Sequence, residues 1–323
     1  MEHQTKHDWQ QALELLEGAY AQSTIAAYYR DFCVFVQWCD LSGVRPLPCV
    51  ASDVAAFLDV QSQIKAAATV RRYAVSVGKI HRLLNFDDPT KSEVVRLAVR
   101  RAHRAAVAPP RQSLGLTRGD VNAILAIRHR SLRHLRDAAM ISVGFDGLMR
   151  RSEIVSLKVS DVDLIGGDAV RVIVRRGKTD QSARGRVVWL TFTSSQVLME
   201  WMDERDRSQF LFGPVYGDVV TDRLLNPIAV QRAIKRCLHE IGRDACNGYT
   251  GHALRVGAAQ ELLQMGRDTA GIMRAGGWKS VSTLARYLER AEHSVWTGWV
   301  SRNKSEATDL VVTNLNNLRY AQN

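Results

Sequence analysis

The sequence predicts a mostly α-helical protein of two domains, with one small antiparallel β-sheet in the second domain. Three observations support this prediction. Apolar residues recur at helical spacing through the first hundred residues, a proline-containing stretch without helical periodicity follows, and two β-branched runs further along flank a polar turn. The chain has 323 residues, of which 46% are hydrophobic, which is enough for two hydrophobic cores.

The first domain contains four predicted helices. Ser23 or Thr24 can cap a long helix whose aromatic residues share one face, and a shorter helix follows Ser52. A third helix begins near Thr69. Asp87-Asp88-Pro89 then breaks the chain, and a fourth helix with a basic end follows.

The domain boundary falls where the sequence reads Ala-Val-Ala-Pro-Pro-Arg-Gln-Ser, because paired prolines are incompatible with a helix. We therefore assign residues 1–106 to the first domain, residues 107–113 to a linker and residues 114–323 to the second domain.

The second domain begins with Thr117-Arg-Gly-Asp, which resembles a capping box. Helices are predicted from there to about Leu157. The runs Val170 to Val174 and Val187 to Phe192 are predicted to form a hairpin, because both are apolar and β-branched and a polar turn lies between them. From about Ser194 a helical pattern continues almost to the end of the chain.

The charge balance indicates a polyanionic partner. There are 44 Lys and Arg against 33 Asp and Glu, a formal net charge of +11. An excess of this size favours nucleic acid, and a generally basic surface is the alternative.

The five cysteines are odd in number and form no C-x-x-C pair, so we expect small buried side chains in a reducing compartment. No signal-type run and no membrane-spanning stretch are apparent. The expected location is therefore cytoplasmic, in association with DNA.

Several common catalytic motifs are missing. Gly177-Lys178-Thr179 resembles the end of a phosphate-binding loop, but Val172 stands where that loop needs a glycine. Neither H-E-x-x-H nor G-x-S-x-G occurs. NTPases, zinc proteases and α/β-hydrolases are therefore disfavoured, and we expect no metal and no nucleotide cofactor.

Potential catalytic residues follow one another in a fixed order along the second domain. His252 and Arg255 are three residues apart, which places both on one face of a helix. Each residue alone has an ordinary structural explanation, such as a helix-terminal cation or a packed aromatic ring. The complete ordered set is Arg150, Lys178, His252, Arg255, Trp278 and Tyr287.

This ordered set resembles the signature of the tyrosine recombinase, or phage integrase, family: an arginine, a hairpin lysine, H-x-x-R, a tryptophan or histidine, and a tyrosine. The resemblance is strong from about Arg136 to Tyr287 and looser in the N-terminal helices. It implies an N-terminal helical core-binding domain and a C-terminal catalytic domain that form a C-shaped clamp on DNA.

The resemblance implies that Tyr287 is the nucleophile. Free tyrosine, with a pKa near ~10, attacks a phosphodiester only if the negative charge that develops is stabilised. Two guanidinium groups suit that task, because each forks onto two oxygens and keeps its charge. The family pattern assigns this role to Arg150 and Arg255.

The remaining catalytic assignments also follow from the resemblance. His252 and Trp278 would donate hydrogen bonds to the same oxygens, and His252 could also accept the tyrosine proton. Lys178 would protonate the departing 5′-oxygen, with Lys158 and Lys279 as alternatives, and Glu153 would orient the arginines.

The resemblance also implies contacts with DNA and between subunits. Basic or polar faces on three predicted helices are expected to bind DNA, although each could be a solvated surface. An apolar stripe after Tyr287 is expected to dock into a neighbouring subunit, although it could pack on its own domain. The DNA-binding residues are Arg71, Arg72, Arg100, Arg101, Arg104, Gln231, Arg232, Lys235 and Arg236, and the interface residues are Val295, Trp296 and Trp299.

The expected function is site-specific DNA recombination by transesterification through a 3′-phosphotyrosine and a Holliday junction. The expected assembly is a homotetramer on double-stranded DNA with inverted-repeat sites. One alternative is a type IB-like topoisomerase or a telomere resolvase, which share the tyrosine chemistry. Another is a DNA-binding protein without catalytic activity.

Overall fold

The fold is taken from a computed structural model of the chain. It describes residues 5–105, 112–127, 131–166, 169–175, 185–205, 208–289 and 291, with the backbone alone for residues 5–8. The contacts divide the chain into two compact units, Met1–Arg111 and Gln112–Asn323.

The first unit is helical. Its helices are α1 (Thr5–Ala12), α2 (Gln22–Ser42), α3 (Ala51–Ser62), α4 (Ala67–Leu83) and α5 (Glu93–Arg104). Four of them correspond to the predicted helices, whereas α1 was not predicted. The predicted start of α2 was wrong by two or three residues, because Ala21 is its N-cap and no side chain caps it.

Apolar side chains at helical spacing form the core of this unit, with Phe32, Phe35 and Phe57 fully buried. One polar cluster joins α2 to α4. The buried carboxylate of Asp31 accepts two hydrogen bonds from the guanidinium of Arg72, both 2.8 Å long, and a third from the Ser76 hydroxyl.

The second unit is mostly helical and contains two small sheets. Its helices are α6 (Arg118–Leu125), α7 (Leu132–Asp146), α8 (Arg151–Ser156), α9 (Phe192–Glu204), α10 (Ile228–Glu240), α11 (Ala253–Gln264), α12 (Thr269–Gly276) and α13 (Val281–Leu288). Its strands are β1 (Val162–Ile165), β2 (Ala169–Val174), β3 (Arg186–Trp189), β4 (Val215–Tyr216) and β5 (Val219–Val220).

Two local predictions for this unit are confirmed. The capping box exists, because the Thr117 hydroxyl accepts from the Asp120 amide and the Asp120 carboxylate accepts from the Thr117 amide, each at 3.0 Å. The predicted hairpin is the antiparallel pair β2–β3, in which Val172 faces Val188. The predicted end of its second strand was wrong, because β3 ends at Trp189 and Phe192 already begins α9.

Two features of the second unit differ from the prediction. A third strand, β1, pairs with the other edge of β2. The expectation of continuous helix from about Ser194 was wrong between α9 and α10, where β4 and β5 form a two-stranded ribbon. These strands are too short for periodicity to reveal.

The turn after α7 positions the site described below. This helix is buried along almost its whole length and ends at Asp146. The next turn contains Leu148, which is buried and has a φ of 47°. A left-handed conformation costs a non-glycine residue about 1–2 kcal/mol, so the surrounding packing must impose it.

No helix in the part of the chain that the structure describes is both long enough and apolar enough to cross a bilayer.

Candidate active site

Three of the predicted catalytic side chains are in direct contact. The guanidinium carbon of Arg255, on α11, lies 3.8 Å from the ring centroid of Trp278 and 5.5 Å from that of Tyr287. The two rings meet edge to face with their centroids 5.1 Å apart. Tyr287 is on α13, and Trp278 lies two residues after the end of α12. Three elements thus converge on one guanidinium.

Two glycines allow Trp278 to occupy this position. A Cβ on Gly276 would lie 1.9 Å from Trp278 Cζ3, so any side chain there would displace the indole. Gly277 ends α12 with a φ of 65°, a conformation that favours glycine.

Arg255 is fully buried, yet two of its three nitrogens have no acceptor among the described residues. Its Nη1 donates to the carbonyl of Leu148, whereas Nε and Nη2 have no partner. The indole N–H of Trp278 is also buried, and none of the described residues accepts from it. A buried donor left unsatisfied costs about 1–3 kcal/mol, so three of them side by side indicate a site built to bind an acceptor.

The pKa of Arg255 reflects this environment. Burial and then the charge of Arg150 lower it to about 10. The group therefore remains protonated at neutral pH and can stabilise a negative charge.

Arg150 is held by the carboxylate of Glu153. Arg150 Nη1 donates to Glu153 Oε1 at 2.6 Å, and the Arg150 amide donates to Glu153 Oε2 at 3.1 Å. Glu153 is almost completely buried. Burial raises its pKa, but the charge of Arg186 and the hydrogen bonds and charge of Arg150 outweigh that effect, so the net pKa lies below its usual value.

His252 is the N-cap residue of α11, and Arg255 lies three residues further along, in the first turn of that helix. Its ring is partly accessible to solvent, but desolvation by the surrounding protein lowers the pKa of His252. The positive charges of Arg151, Arg255 and Arg150 lower that pKa further. His252 is therefore neutral at pH 7 and can either donate or accept a proton there.

Arg186 belongs to this site and was not predicted from the sequence. Its guanidinium donates to Glu153 Oε2 at 2.9 Å and to the carbonyls of Gly147 and Ala275 at 2.6 and 2.8 Å. The period-2 alternation of β3 was the available signal. Arg186 and the buried Val188 are two residues apart and therefore point to the same face.

A cavity of about 300 Å³ adjoins these groups. Arg150, Glu153, Arg186, Trp278 and Lys279 are among its lining residues. Lys279 is thus placed near the site as an alternative to Lys178, which lies outside the described residues.

The predicted DNA-binding arginines fall into two groups. Arg72, Arg101 and Arg236 form ion pairs with Asp31, Asp59 and Asp137 respectively. The others are side chains on α4, α5 and α10 that are exposed or half-buried. This second group consists of Arg71, Arg100, Arg104, Gln231, Arg232 and Lys235. The predicted interface residues Val295, Trp296 and Trp299 lie outside the described residues.

One group of side chains in the described ranges could in principle hold a metal ion. Ligand atoms of His134, Cys237 and Glu240 lie within 4.8 Å of one another. His134 Nδ1 already contacts the Glu240 carboxylate, and His134 lies at the opposite end of α7 from the turn that leads to Arg150. This group is therefore separate from the candidate active site.

Comparison with known proteins identifies the family to which the chain is related. Residues 115–293, more than half of the chain, match the model of the phage integrase family. Recombinase cre of Escherichia phage P1 is 25% identical over 79% of this chain and 80% of its own length. Tyrosine recombinase XerD of Listeria monocytogenes serotype 4b is 26% identical over 84% and 90%.

Solved structures show the same fold. XerH recombinase in a post-cleavage complex with its difH substrate has a TM-score of 0.60 at 19% identity, covering 88% of this chain and 79% of that one. A lambda integrase dimer bound to a core site has a TM-score of 0.60 at 17% identity, covering 89% and 97%. The matched family model establishes that the chain belongs to the phage integrase family, and with the relatives named above it identifies the chain as a tyrosine recombinase.

Proposed function

We propose that this recombinase acts at a specific DNA site by cutting and rejoining strands through Tyr287. The observation that carries the proposal is the set of buried donors on Arg255 and Trp278, beside the tyrosine ring, that have no partner in the described part of the chain. A phosphodiester supplies the acceptor oxygens that these donors lack. The net charge of +11 and the DNA bound in the XerH and lambda integrase structures support DNA as the partner.

The proposed reaction begins with attack of the Tyr287 hydroxyl oxygen on a phosphorus of the DNA backbone. A bond forms between that oxygen and the phosphorus, and the bond to the 5′-oxygen of the next nucleotide breaks. The tyrosine proton passes to a base, for which neutral His252 is suited, and a lysine protonates the departing 5′-oxygen. The products are a 3′-phosphotyrosine and a free 5′-hydroxyl.

Arg150 and Arg255 would stabilise the additional negative charge of the transition state. Both are fixed before substrate binds, Arg150 by Glu153 and Arg255 by the Leu148 carbonyl. Fixed donors need no reorganisation as charge develops, and removing one such donor typically lowers the rate by about 10²–10³-fold. In the second half of the reaction a 5′-hydroxyl attacks the phosphotyrosine, so one ester replaces another and no ATP is consumed.

The remaining parts of the proposal concern assembly. We propose that both units contact the duplex, that four subunits assemble on inverted-repeat sites, and that strand exchange passes through a Holliday junction. Residues Val295, Trp296 and Trp299 would dock into a neighbouring subunit, and Lys178 would be the lysine that protonates the 5′-oxygen.

Covalent capture tests the proposal. The protein is incubated with a randomised library of nicked duplexes in EDTA, and adducts that survive denaturant are isolated and sequenced beside a Tyr287→Phe control. We expect adducts that require Tyr287 and share a half-site. DNA binding without an adduct would favour a catalytically silent binding protein, and adducts without a shared sequence would favour a type IB-like topoisomerase.

A further inference from the structure

Arg186 contacts three separate segments of the active site at once. It is the first residue of β3, and its side chain is largely buried. One terminal nitrogen, Nη1, donates to the carbonyls of Gly147 and Ala275, and the other, Nη2, donates to the carboxylate of Glu153. This one side chain therefore links β3 to the turn after α7, to α8 and to α12.

Each of the three acceptors lies next to a proposed catalytic group. Gly147 precedes Leu148, whose carbonyl holds Arg255. Glu153 holds Arg150. Ala275 lies three residues before Trp278, at the end of α12. Within the part of the chain that the structure describes, Arg186 has no hydrogen bond to Arg150, Arg255 or Trp278, so its influence on these three side chains is indirect.

We propose that Arg186 is a positioning residue that sets the mutual placement of Arg150, Arg255 and Trp278 for strand cleavage. This inference rests on the proposed function of the site. A guanidinium suits the task, because its planar fork reaches three acceptors in fixed directions, whereas a lysine ammonium is a point charge on a flexible chain. Displacement of a catalytic group by about 1 Å can lower a rate by about 10²-fold.

The positive charge of Arg186 also stabilises the ionised carboxylate of Glu153. The charged groups around that carboxylate are Arg150 from its own turn, Arg186 from β3 and Arg255 from α11. Because Arg186 helps to keep Glu153 ionised, its removal raises the pKa of Glu153. Protonated Glu153 holds Arg150 less firmly, so the cleavage rate should begin to fall at a higher pH than in the wild type.

The test compares Arg186→Met and Arg186→Lys with Arg171→Met. Arg171 is a suitable control, because it is also a strand arginine paired with a carboxylate, Asp163, and lies on the neighbouring strand β2. The substrate is a nicked duplex that carries the half-site recovered with the wild-type protein. Measured quantities are the single-turnover rate of adduct formation from pH 5 to 9, the Kd for the duplex and the melting temperature.

We expect Arg186→Met to lower the cleavage rate by about 10²-fold and to shift the acidic limb of its pH profile upward, with the Kd unchanged. Arg186→Lys should retain the wild-type pH profile at a rate between the two, and Arg171→Met should match the wild type. If Arg186→Met destabilises the fold, the folded Arg186→Lys variant still decides the question. A lowered cleavage rate with a wild-type pH profile in that variant supports the positioning role.

The outcomes separate this inference from the function on which it rests. A wild-type protein that forms no adduct overturns both. A wild-type adduct together with unchanged rates and pH profiles in both Arg186 variants overturns only the positioning role. A third outcome is a cleavage rate of Arg186→Met that falls only in proportion to the loss of folded protein, with no shift of the acidic limb of the pH profile. That result would show that Arg186 has a structural role alone, and it would also overturn the positioning role.

Discussion

At the scale of single residues, burial of Arg255 in the active site lowers the stability of the fold but serves the function. Arg255 is buried, two of its nitrogens have no partner among the residues that the structure describes, and the positive charge of Arg150 acts on it. Burying a charge without full compensation is costly, and replacing it by an apolar side chain of similar shape is often neutral or stabilising. The protein therefore retains Arg255 for what it does with substrate.

Arg255→Met should separate these two properties. We expect the free energy of unfolding to change by less than about 1 kcal/mol or to rise, because the variant loses an incompletely satisfied charge. Adduct formation should fall by at least about 10²-fold. Urea unfolding and single-turnover cleavage measure the two quantities. A loss of stability of several kcal/mol with cleavage retained would contradict the account.

His252 should make the protein sensitive to mild acid. Its pKa is lowered in the folded state, so below the ordinary value of about 6.5 the unfolded chain takes up a proton that the folded chain does not. Stability is therefore lost as pH falls from about 6.5 toward the folded pKa. His252→Gln should lose less stability than the wild type between pH 7 and 5, as measured by urea unfolding at each pH. Parallel curves would show that His252 does not contribute.

At the scale of elements, the close approach of α12 to Trp278 controls the geometry of the site. Gly276→Ala would place a Cβ within 2 Å of the indole, which must then move. Overpacking of this kind typically costs about 1–3 kcal/mol. We expect that loss in urea unfolding, together with a slower cleavage reaction. Gly166→Ala is the matched control, because its Cβ would meet nothing within 4 Å. Equal behaviour of the two variants would contradict this explanation.

Elements specified by local interactions were predictable, and those specified at long range were not. The capping box at Thr117 and the β2–β3 hairpin depend on neighbouring residues, and both were predicted. Strand β1 has four residues of mixed polarity, and it is a strand only because it pairs with β2. The ribbon β4–β5 offers two residues per strand, too few for a periodic signal.

The same distinction applies to the active site. Trp278 and Tyr287 were predicted as members of an ordered motif, and they meet with Arg255 in the structure. The role of Arg186 was missed because its partners, Gly147 and Ala275, are separated from it by 39 and 89 residues. Two of its three acceptors are backbone carbonyls, which leave no trace in the side-chain sequence.

At the scale of the whole molecule, the count of 44 Lys and Arg overstates the number of cations free to bind phosphate. Arg72 spans the buried carboxylate of Asp31 with two hydrogen bonds, and Arg101 and Arg236 are also ion-paired. Loss of Arg72 would leave a buried carboxylate without its cation. Arg232, which is exposed on α10, is a better candidate for a phosphate contact.

Substitution of Arg232 and Arg72 should therefore have different effects. Arg232→Ala should reduce the slope of log binding constant against log salt concentration by about 1, with little effect on stability. Arg72→Ala should lower the free energy of unfolding by about 1–3 kcal/mol, because Asp31 is left unpaired. DNA binding across a salt series and urea unfolding measure these effects. If both variants lost stability and Arg232→Ala left the salt slope unchanged, the assignment of Arg232 as a phosphate contact would be contradicted.

The central claim is that the Tyr287 oxygen becomes joined to the 3′ end of a cleaved strand. Mass spectrometry of the trypsin- and nuclease-treated adduct tests it most directly, because trypsin cuts after Arg286 and Arg290 and releases the short peptide that contains this tyrosine. We predict that this peptide carries a nucleotide through a 3′-phosphate, in samples prepared with EDTA. A nucleotide attached to another residue, or joined through its 5′-phosphate, would contradict the account.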